Sequence, residues 1–280
     1  MLEILFVLGT ALCFGIADVV TKKSITDAGM YKSAAYGYVI LVALILLGAL
    51  VIGIEVPFPK NVITYLVQII IGATAVLALF KAFEEGKASI LAPLTKLNVL
   101  IVLIFGTVIL GEKLTGIQFT ASVLIVGSAF ILSFSDLKNF KLEKGVMYIL
   151  ITIFGWGYYY SFFKTFVAEL GAYQAIFLLE IGVATVVILY CILMKKDLSL
   201  PPLGDWKYIG ARSATLFIGT VLYSVSVNVI GAGVSAAIIA GSPVITAILA
   251  YQLLGEKLDN YKYAAIVVMV TGLVLMFLFG

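Results

Sequence analysis

The carboxylate of Glu180 lies in the middle of a strongly apolar segment, flanked by Leu179 and Ile181. An ionised group that far from water is costly unless a partner or a hydrated cavity meets it. Two chemistries suit such a carboxylate: it can be the counter-charge of a cationic substrate, or it can take up a proton in exchange for substrate. The structural alternative is a hydrogen-bond or lysine partner inside the protein. Glu180 is therefore a candidate for both substrate recognition and proton coupling.

Other polar residues stand inside apolar segments as well. Lys96 and Asn98 are candidates to line a polar cavity, although Lys96 could instead pair with an acid or extend from a helix end to the membrane surface. Asp18 stands four residues before Lys22, so the simplest interpretation is an i, i+4 pair near the surface, and proton coupling is the alternative. Arg212 lies near the start of its segment, and its guanidinium is expected to reach the membrane surface.

Aromatic side chains crowd the segment before Glu180. Four of them share one helical face at the spacing i, i+3, i+4, i+7: Trp156, Tyr159, Tyr160 and Phe163. Aromatic faces hold apolar or cationic groups, and the alternatives are an interfacial belt or packing against lipid and other helices. If Lys96 approaches Glu180, the site suits zwitterionic, amino-acid-like ligands. If Lys96 is distant, an acid beside aromatic rings suits an amine or a cation.

The elements that position these residues are membrane-spanning helices. Of the 280 residues 63% are hydrophobic and 12% are charged, whereas soluble domains carry about 25% charged residues. The apolar segments are continuous and about 20 residues long, which favours helices over the shorter alternating strands of a barrel. Ten such segments are predicted, at 2–21, 33–53, 62–83, 88–110, 116–134, 145–165, 173–194, 207–229, 233–254 and 260–279.

Composition also argues against several classes of function. Without histidine, the commonest metal ligand and general base is missing, and neither a metal, a cofactor nor catalytic residues are expected. The net charge of +3 without a basic arm argues against nucleic-acid binding, and no phosphate-binding loop for ATP is present. Cys13 and Cys191 lie in apolar segments and are expected to be buried thiols. The first segment is expected to be a spanning helix and not a signal peptide.

The chain repeats itself. Gly111-Glu112-Lys113-Leu114 returns 144 residues later as Gly255-Glu256-Lys257-Leu258. At an offset of 142, Gly15, Lys22 and Gly29-x-Tyr31 return as Gly157, Lys164 and Gly171-x-Tyr173. The sequence therefore predicts two homologous halves, 1–134 and 145–280, joined by a polar connector, 135–144. Because each half holds five helices, an odd number, the halves must be inverted relative to each other in the membrane.

Some repeated residues are expected to be structural. Glu112 and Glu256 follow their helices directly and are expected to cap the tight turn to the next helix. Gly233, Ala237 and Gly241 form a small-xxx-small seam on which helices can pack closely. The halves differ chemically at the site, since the repeat mate of Glu180 is Tyr38.

These features resemble the EamA-type repeat of the drug/metabolite transporter superfamily over nearly the whole chain. The resemblance rests on Phe14-Gly15 and Trp156-Gly157 with a lysine seven residues on, and on the repeated Gly-Glu-Lys-Leu. The sequence departs from the family pattern where Phe14 replaces a tryptophan. It also departs at the mid-helix proline, which is present as Pro243 but is Val99 in the first half, with Pro93 earlier. The resemblance implies both termini in the cytosol, whereas the distribution of lysines predicts them outside.

The sequence thus predicts an all-α integral membrane protein of ten transmembrane helices in two inverted five-helix repeats. Its predicted function is secondary active transport, most simply export, of small polar or amine-bearing metabolites such as amino acids across the cytoplasmic membrane. A flippase of a lipid or lipid-linked sugar is the alternative, and a monomer or homodimer in the bilayer is expected. The predicted cavity is lined by the first four helices of each half. Its candidate substrate-binding residues are Glu180, Trp156, Tyr159, Tyr160, Lys96, Asn98, Tyr38 and Phe14, and its candidate coupling residues are Glu180 and Asp18.

Overall fold

Helices make up most of the computed structural model, which describes residues 2–53, 58–110, 115–136, 139, 141–230 and 241–279. The described helices are α1 (Leu2–Ala28), α2 (Met30–Ile52), α3 (Val62–Glu85), α4 (Ala88–Thr95), α5 (Asn98–Leu110), α6 (Gly116–Ser133), α7 (Val146–Leu170), α8 (Ala172–Leu193), α9 (Trp206–Ile230), α10 (Ser242–Leu254) and α11 (Asn260–Phe279). α3 and α6 begin after the capping side chains of Asn61 and Thr115, which accept hydrogen bonds from backbone N–H groups three residues on.

Glycine, and not charge, ends the first helix. The sequence placed a break at Lys22-Lys23, but α1 continues through these lysines to Ala28 and stops at Gly29. Partly buried lysines are compatible with a helix, whereas Gly29 has φ +89° and ψ +156°, a conformation nearly restricted to glycine. Its repeat mate Gly171 has φ +89° and ψ +157° and joins α7 to α8 in the same way. The two halves therefore use one turn at equivalent positions.

The segment predicted as one helix over 88–110 is broken in the middle. α4 ends at Thr95, and α5 begins at Asn98. Pro93 lacks the N–H that would continue the α-helical ladder, and the chain tightens after it. The N–H groups of Lys96, Leu97 and Val99 each bond to the carbonyl three residues earlier, at 3.0–3.2 Å. This break brings Lys96 to the end of a short helix near the centre of the bundle.

The predicted polar connector holds the only strands among the described residues. β1 (Phe134–Asp136) and β2 (Lys141–Leu142) pair antiparallel, with Phe134 opposite Leu142. The fold class is therefore all-α apart from this small hairpin. The Glu143 carboxylate, just beyond β2, lies 3.9 Å from the Lys262 ammonium, so the connector is tied to the first turn of α11.

The helical surface is that of a membrane protein. Within the described residues, five helices are long and apolar enough to cross a bilayer: Met30–Val51, Val62–Glu85, Gly116–Ser133, Val146–Leu170 and Tyr173–Leu193. Large apolar side chains point outward from them, such as Val51 and Ile63, which are 86% and 76% exposed. Such side chains need lipid as their solvent, so the protein is an α-helical, multi-pass membrane protein.

The two halves pack against each other in matched pairs. α1 of the first half lies along α9 of the second, and α7, the counterpart of α1, lies along α3, the counterpart of α9. The match extends to single residues. A Cβ added at Gly15 would come 2.7 Å from Ile245, and one added at Gly157 would come 2.4 Å from Ile101. Repeat-related glycines thus meet repeat-related isoleucines, each in the opposite half.

Glu256 caps a helix, but in the other half of the chain. The sequence predicted that it orients its own turn. Instead its Oε1 accepts a hydrogen bond from the Ala88 N–H at 3.1 Å, and its Oε2 accepts from the N–H and Oγ of Ser89 at 2.9 and 2.6 Å. A carboxylate at a helix N-terminus satisfies free N–H groups and favours the helix dipole. The second Gly-Glu-Lys-Leu motif therefore joins the two halves through the start of α4.

The other predicted structural residues are placed in part. Gly111, Glu112, Gly233 and Ala237 lie outside the described residues. Gly241 directly precedes α10, and Pro243 is the buried second residue of that helix. Gly255 ends α10 in the left-handed region, at φ +66°, and its N–H bonds to the carbonyl of Ala250.

The conformation of the two turn glycines can be tested by substitution. Gly29→Ala should lower the free energy of unfolding by about 1–3 kcal/mol, because alanine is strained at this φ and ψ. No atom lies within 4 Å of the added Cβ, so strain alone is measured. Gly127→Ala in α6 is the matched control, since nothing lies within 4 Å there either and the backbone is helical. Unfolding in mixed detergent gives both values. Equal effects of the two substitutions would contradict this assignment.

Candidate functional site

A cavity of about 180 Å³ lies at the centre of the bundle, where the two halves meet. Residues of α1, α2 and α3, the break after α4, and residues of α7, α8 and α9 line it. Among the described residues, none from α6 or α11 contributes, in agreement with the prediction that the last helix of each half is peripheral. Polar groups thus face inward in a protein whose outer surface is apolar.

The structure brings most of the sequence-predicted site residues together. Those that line the cavity are Phe14, Asp18, Tyr38, Lys96, Trp156, Tyr159, Tyr160 and Glu180. Asn98 is not among the described lining residues. It begins α5, two positions beyond Lys96, where the turn has carried the chain past the cavity.

Asp18 faces Lys96 and not its neighbour in sequence. The carboxylate of Asp18 accepts a hydrogen bond from Thr246 Oγ1 at 3.3 Å and interacts electrostatically with Lys96. Lys22, the expected i, i+4 partner, instead donates its ammonium to the carbonyl oxygen of Phe83. The simple interpretation of Asp18 as a surface pair is therefore wrong. Lys96 sits at the C-terminal cap of α4, where a cation is favoured by the helix dipole.

Arg212 is the site residue that the sequence did not predict. Its expected place was the membrane surface, but the residue is only 3% exposed and lines the cavity. The guanidinium lies between two rings, 4.9 Å from the centroid of Tyr38 and 4.7 Å from that of Phe80. It interacts electrostatically with Glu180. One feature of the sequence could have indicated a buried polar position: the repeat mate of Arg212 at an offset of 144 is another polar residue, Gln68. In the structure Gln68 is also fully buried.

The predicted aromatic stripe divides into a packed part and a lining part. The ring of Tyr159 is stacked with Phe163 at 6.3 Å, and Gln68 Nε2 donates to the Tyr159 carbonyl oxygen at 2.6 Å. The hydrogen bond from Gln68 joins α7 to α3, whereas the stacking of Tyr159 on Phe163 lies within α7. Tyr160 is 47% exposed, with its ring 5.6 Å from that of Tyr159. Trp156 also borders the cavity.

The four charged residues that line the cavity form two acid–base sets. Asp18 and Lys96 come from the first half, and Glu180 and Arg212 come from the second. The formal charges cancel within each set, which limits the cost of burying them. Over the residues that the structure describes, no group of three or more His, Cys, Asp or Glu could hold a metal ion. Charged groups and aromatic rings thus line one cavity between the two halves.

Comparison with known proteins establishes the family. The sequence profile described as the EamA-like transporter family matches residues 1–134 and again residues 143–278. The chain belongs to this family. The resemblance inferred from the repeated motifs is thereby confirmed, and with it membership of the drug/metabolite transporter superfamily. Proteins of the EamA-like family are membrane transporters and not enzymes.

Solved structures support the fold. Among 28 matching chains, one described as "Crystal structure of protein" has a TM-score of 0.69 and 16% sequence identity, covering 96% of this chain and 95% of that one. At this identity the likeness concerns the fold alone. No curated protein matches the sequence.

The pairing of Asp18 with Lys96 predicts how substitutions combine. Asp18→Asn or Lys96→Met alone leaves an unmatched charge in the bundle and should lower stability by about 1–3 kcal/mol. The double variant removes both charges and should be more stable than the sum of the single losses implies. Unfolding midpoints in mixed detergent measure all three variants. Additive losses would show that the two groups do not interact.

Proposed function

We propose that this protein is a secondary active transporter that exports small polar, amine-bearing metabolites such as amino acids across the cytoplasmic membrane. The observation that carries the proposal is the charged and aromatic cavity enclosed between the two halves of an EamA-like transporter. At about 180 Å³ it is smaller than the roughly 300–1,000 Å³ of pockets that hold drug-sized ligands, so a small metabolite fits it best. A monomer or a homodimer would suffice, because one chain supplies the whole lining.

The proposed mechanism is alternating access between two inverted repeats of five transmembrane helices each. Support comes from the odd number of segments in each half and from helix pairings that recur when the halves are exchanged. The shared turn at Gly29 and Gly171 and the matched contacts of Gly15 and Gly157 point the same way. In such a pair, rocking one half against the other opens the central site to each side in turn.

One end of the bundle is held shut by contacts between the halves. We call it the lysine-rich end, comprising 22–32, 81–88, 141–146, 194–208 and 255–262. Here Glu256 caps α4, and the Lys87 ammonium donates to the Lys257 carbonyl oxygen at 3.2 Å. The Lys32 ammonium lies 2.9 Å from the Asp197 carboxylate. Alternating access requires these contacts to break when this end opens.

Further hydrogen bonds and a ring contact surround the Lys32–Asp197 pair at the lysine-rich end. The Tyr36 hydroxyl donates to the Leu198 carbonyl oxygen at 2.6 Å, and its ring packs on Trp206 with centroids 5.1 Å apart. The ammonium of Lys32 also bonds to Ser199 Oγ. The hydrogen bond from Lys32 and those from Ser199, whose N–H donates to Asp197 Oδ1 at 2.9 Å, lower the pKa of Asp197 to about 2. Asp197 is therefore ionised at neutral pH and available to pair with Lys32.

Glu180 supports an amine-bearing substrate. Its carboxylate borders the cavity together with Trp156, Tyr159 and Tyr160, and acids beside aromatic faces favour cationic groups. Because Lys96 is engaged with Asp18, it leaves Glu180 facing Arg212 and the cavity. The alternative function, a flippase of a lipid or lipid-linked sugar, gains no supporting contact from the residues that the structure describes.

The proposed role of Glu180 is tested by Glu180→Gln. In proteoliposomes this variant should abolish uptake of amino-acid or amine substrates, or abolish the dependence of uptake on a pH gradient if Glu180 carries the coupling proton. Glu84→Gln is the control, because Glu84 is an exposed acid that pairs with Lys81 within α3. Detergent stability of Glu84→Gln should stay near wild type, whereas Glu180→Gln leaves the charge of Arg212 unmatched and should be somewhat less stable, so transport is compared at equal amounts of folded, reconstituted protein. Normal transport by Glu180→Gln at every pH would refute the assignment.

The role of Glu256 in closing the lysine-rich end is tested by accessibility. In a background with Cys13 and Cys191 replaced by alanine, Thr21→Cys places a thiol on α1 in the cavity wall. Glu256→Gln removes the charge that caps α4, so labelling of this thiol by a polar maleimide should rise several-fold.

The matched control for this experiment is Glu85→Gln. Glu85 lies at the same end but pairs only within its own helix, with Lys81 at 3.2 Å, so its loss should leave labelling unchanged. Equal labelling rates in wild type and Glu256→Gln would show that the cap does not hold this end closed.

A further inference from the structure

We propose that Arg212 forms an anion-binding subsite of the cavity, so that the preferred substrate is a zwitterion carrying both a carboxylate and an amine. The inference rests on the proposed transport function and makes its substrate class narrower. An amine-binding site alone would need only Glu180 and aromatic rings. Because Arg212 also lines the cavity, we expect the substrate to carry an anionic group as well.

The first argument is the state of the guanidinium donors. Arg212 Nε and Nη1 are buried and have no hydrogen-bond partner among the described residues. Among the described residues, no carboxylate oxygen lies within 4.0 Å of a guanidinium nitrogen of Arg212. Glu180 is nevertheless near enough to interact with Arg212 electrostatically. Buried charged donors without partners lose their hydration without replacement and so destabilise the protein. A bound ligand that supplies the missing hydrogen-bond acceptor would remove this cost, so such donors are expected in a binding site.

The second argument is that neighbouring residues hold the guanidinium of Arg212 in a fixed position. The rings of Tyr38 and Phe80 hold the guanidinium at 4.9 and 4.7 Å, which fixes its plane before a ligand arrives. Gly37 makes room for it, since a Cβ there would lie 2.8 Å from Nη1. The backbone at Gly37 is itself held, because Ser213 Oγ donates to its carbonyl oxygen at 2.7 Å. α2 and α9 are therefore fitted around the arginine.

The third argument is charge balance. Two acids and two bases line the cavity, so their formal charges sum to zero over the described residues. A ligand that carries one net charge would leave that charge uncompensated in a poorly solvated site. A zwitterion leaves the balance intact, with its carboxylate on Arg212 and its ammonium on Glu180. Arginine suits this task because its planar donors match the geometry of a carboxylate.

A phosphate group is the less suitable anion here. At neutral pH it carries about 1.5 to 2 negative charges, which exceeds what one arginine can neutralise. The charge of the other cavity base, Lys96, is balanced by Asp18, with which it interacts electrostatically. The charges of the site therefore favour a carboxylate.

The test compares matched ligands on the purified, full-length protein. Probes are the standard amino acids and, for each one that binds, the amine that lacks its carboxylate and the acid that lacks its amine. Binding is measured by thermal shift and by isothermal titration at concentrations up to millimolar. The zwitterion should bind about tenfold or more tightly than the amine, the size expected for a hydrogen bond between charged groups.

Two variants tie this preference to the arginine. Arg212→Gln should weaken binding of the zwitterion about tenfold or more, and it should leave binding of the amine equal or tighter because Glu180 loses a competing positive charge. Gly37→Ala should act in the same direction, because its Cβ displaces the guanidinium without removing it, and it covers the case in which Arg212→Gln does not fold. Lys207→Gln is the control, because this cation stands on the first turn of the same helix and packs over Tyr208; it should bind every probe as wild type does.

Several outcomes would overturn the subsite. These are equal affinity for the zwitterion and its amine, equal loss of both in the variants, or no zwitterion binding at millimolar concentration. Uptake into proteoliposomes separates this inference from the proposed function. Transport of amines that ignores Arg212 would keep the function and refute the subsite. Binding of zwitterions through Arg212 without any transport would keep the subsite and refute the function.

Discussion

Charge inside a membrane must be matched by charge inside the protein, and this constraint organises the whole bundle. Four ionisable side chains lie near its centre, and each can be there only because another helix presents a partner or a ring. Asp18 needs the break in the fourth segment of the chain, since a continuous helix would not end at Lys96. Arg212 needs a glycine on α2 and two flanking rings. The irregular features of the fold are therefore those that accommodate charge.

The sequence predicted the large elements well because they depend on local or repeated signals. Long apolar runs indicate helices, and the doubled motif indicates two halves. The repeat also matched Gly29 with Gly171, and the structure shows the same positive φ of 89° at both. Helix ends were predicted less well, because charged residues were taken as helix boundaries. Lys22 and Lys23 look like a boundary in the sequence, yet only Gly29 has the backbone freedom to form one.

The partners of the buried charges could not be predicted in the same way. Which residues of two helices face each other depends on helix rotation, and helices that are apolar nearly all round carry little pattern to specify it. Asp18 was paired with Lys22 by spacing, whereas the fold pairs it with Lys96, far along the chain. Arg212 looked superficial because it stands near a segment start. Glu256 looked like a local cap, but the N–H groups that it accepts belong to Ala88 and Ser89, in the other half. In each case a short-range interpretation failed because the partner is distant in sequence.

The central claim is that two inverted halves open the cavity to each side in turn, and distances across both ends test it most directly. Spin-label pairs at Lys87 and Lys257 span the halves at the lysine-rich end. A pair at Lys60 and Glu169, where the Lys60 N–H bonds to the Glu169 carboxylate at 2.6 Å, spans them at the other end. Double electron–electron resonance with and without a transported ligand gives both distances in one Cys13- and Cys191-free background. The account predicts that one distance lengthens as the other shortens. Two distances that stay constant, or that change in the same direction, would contradict it.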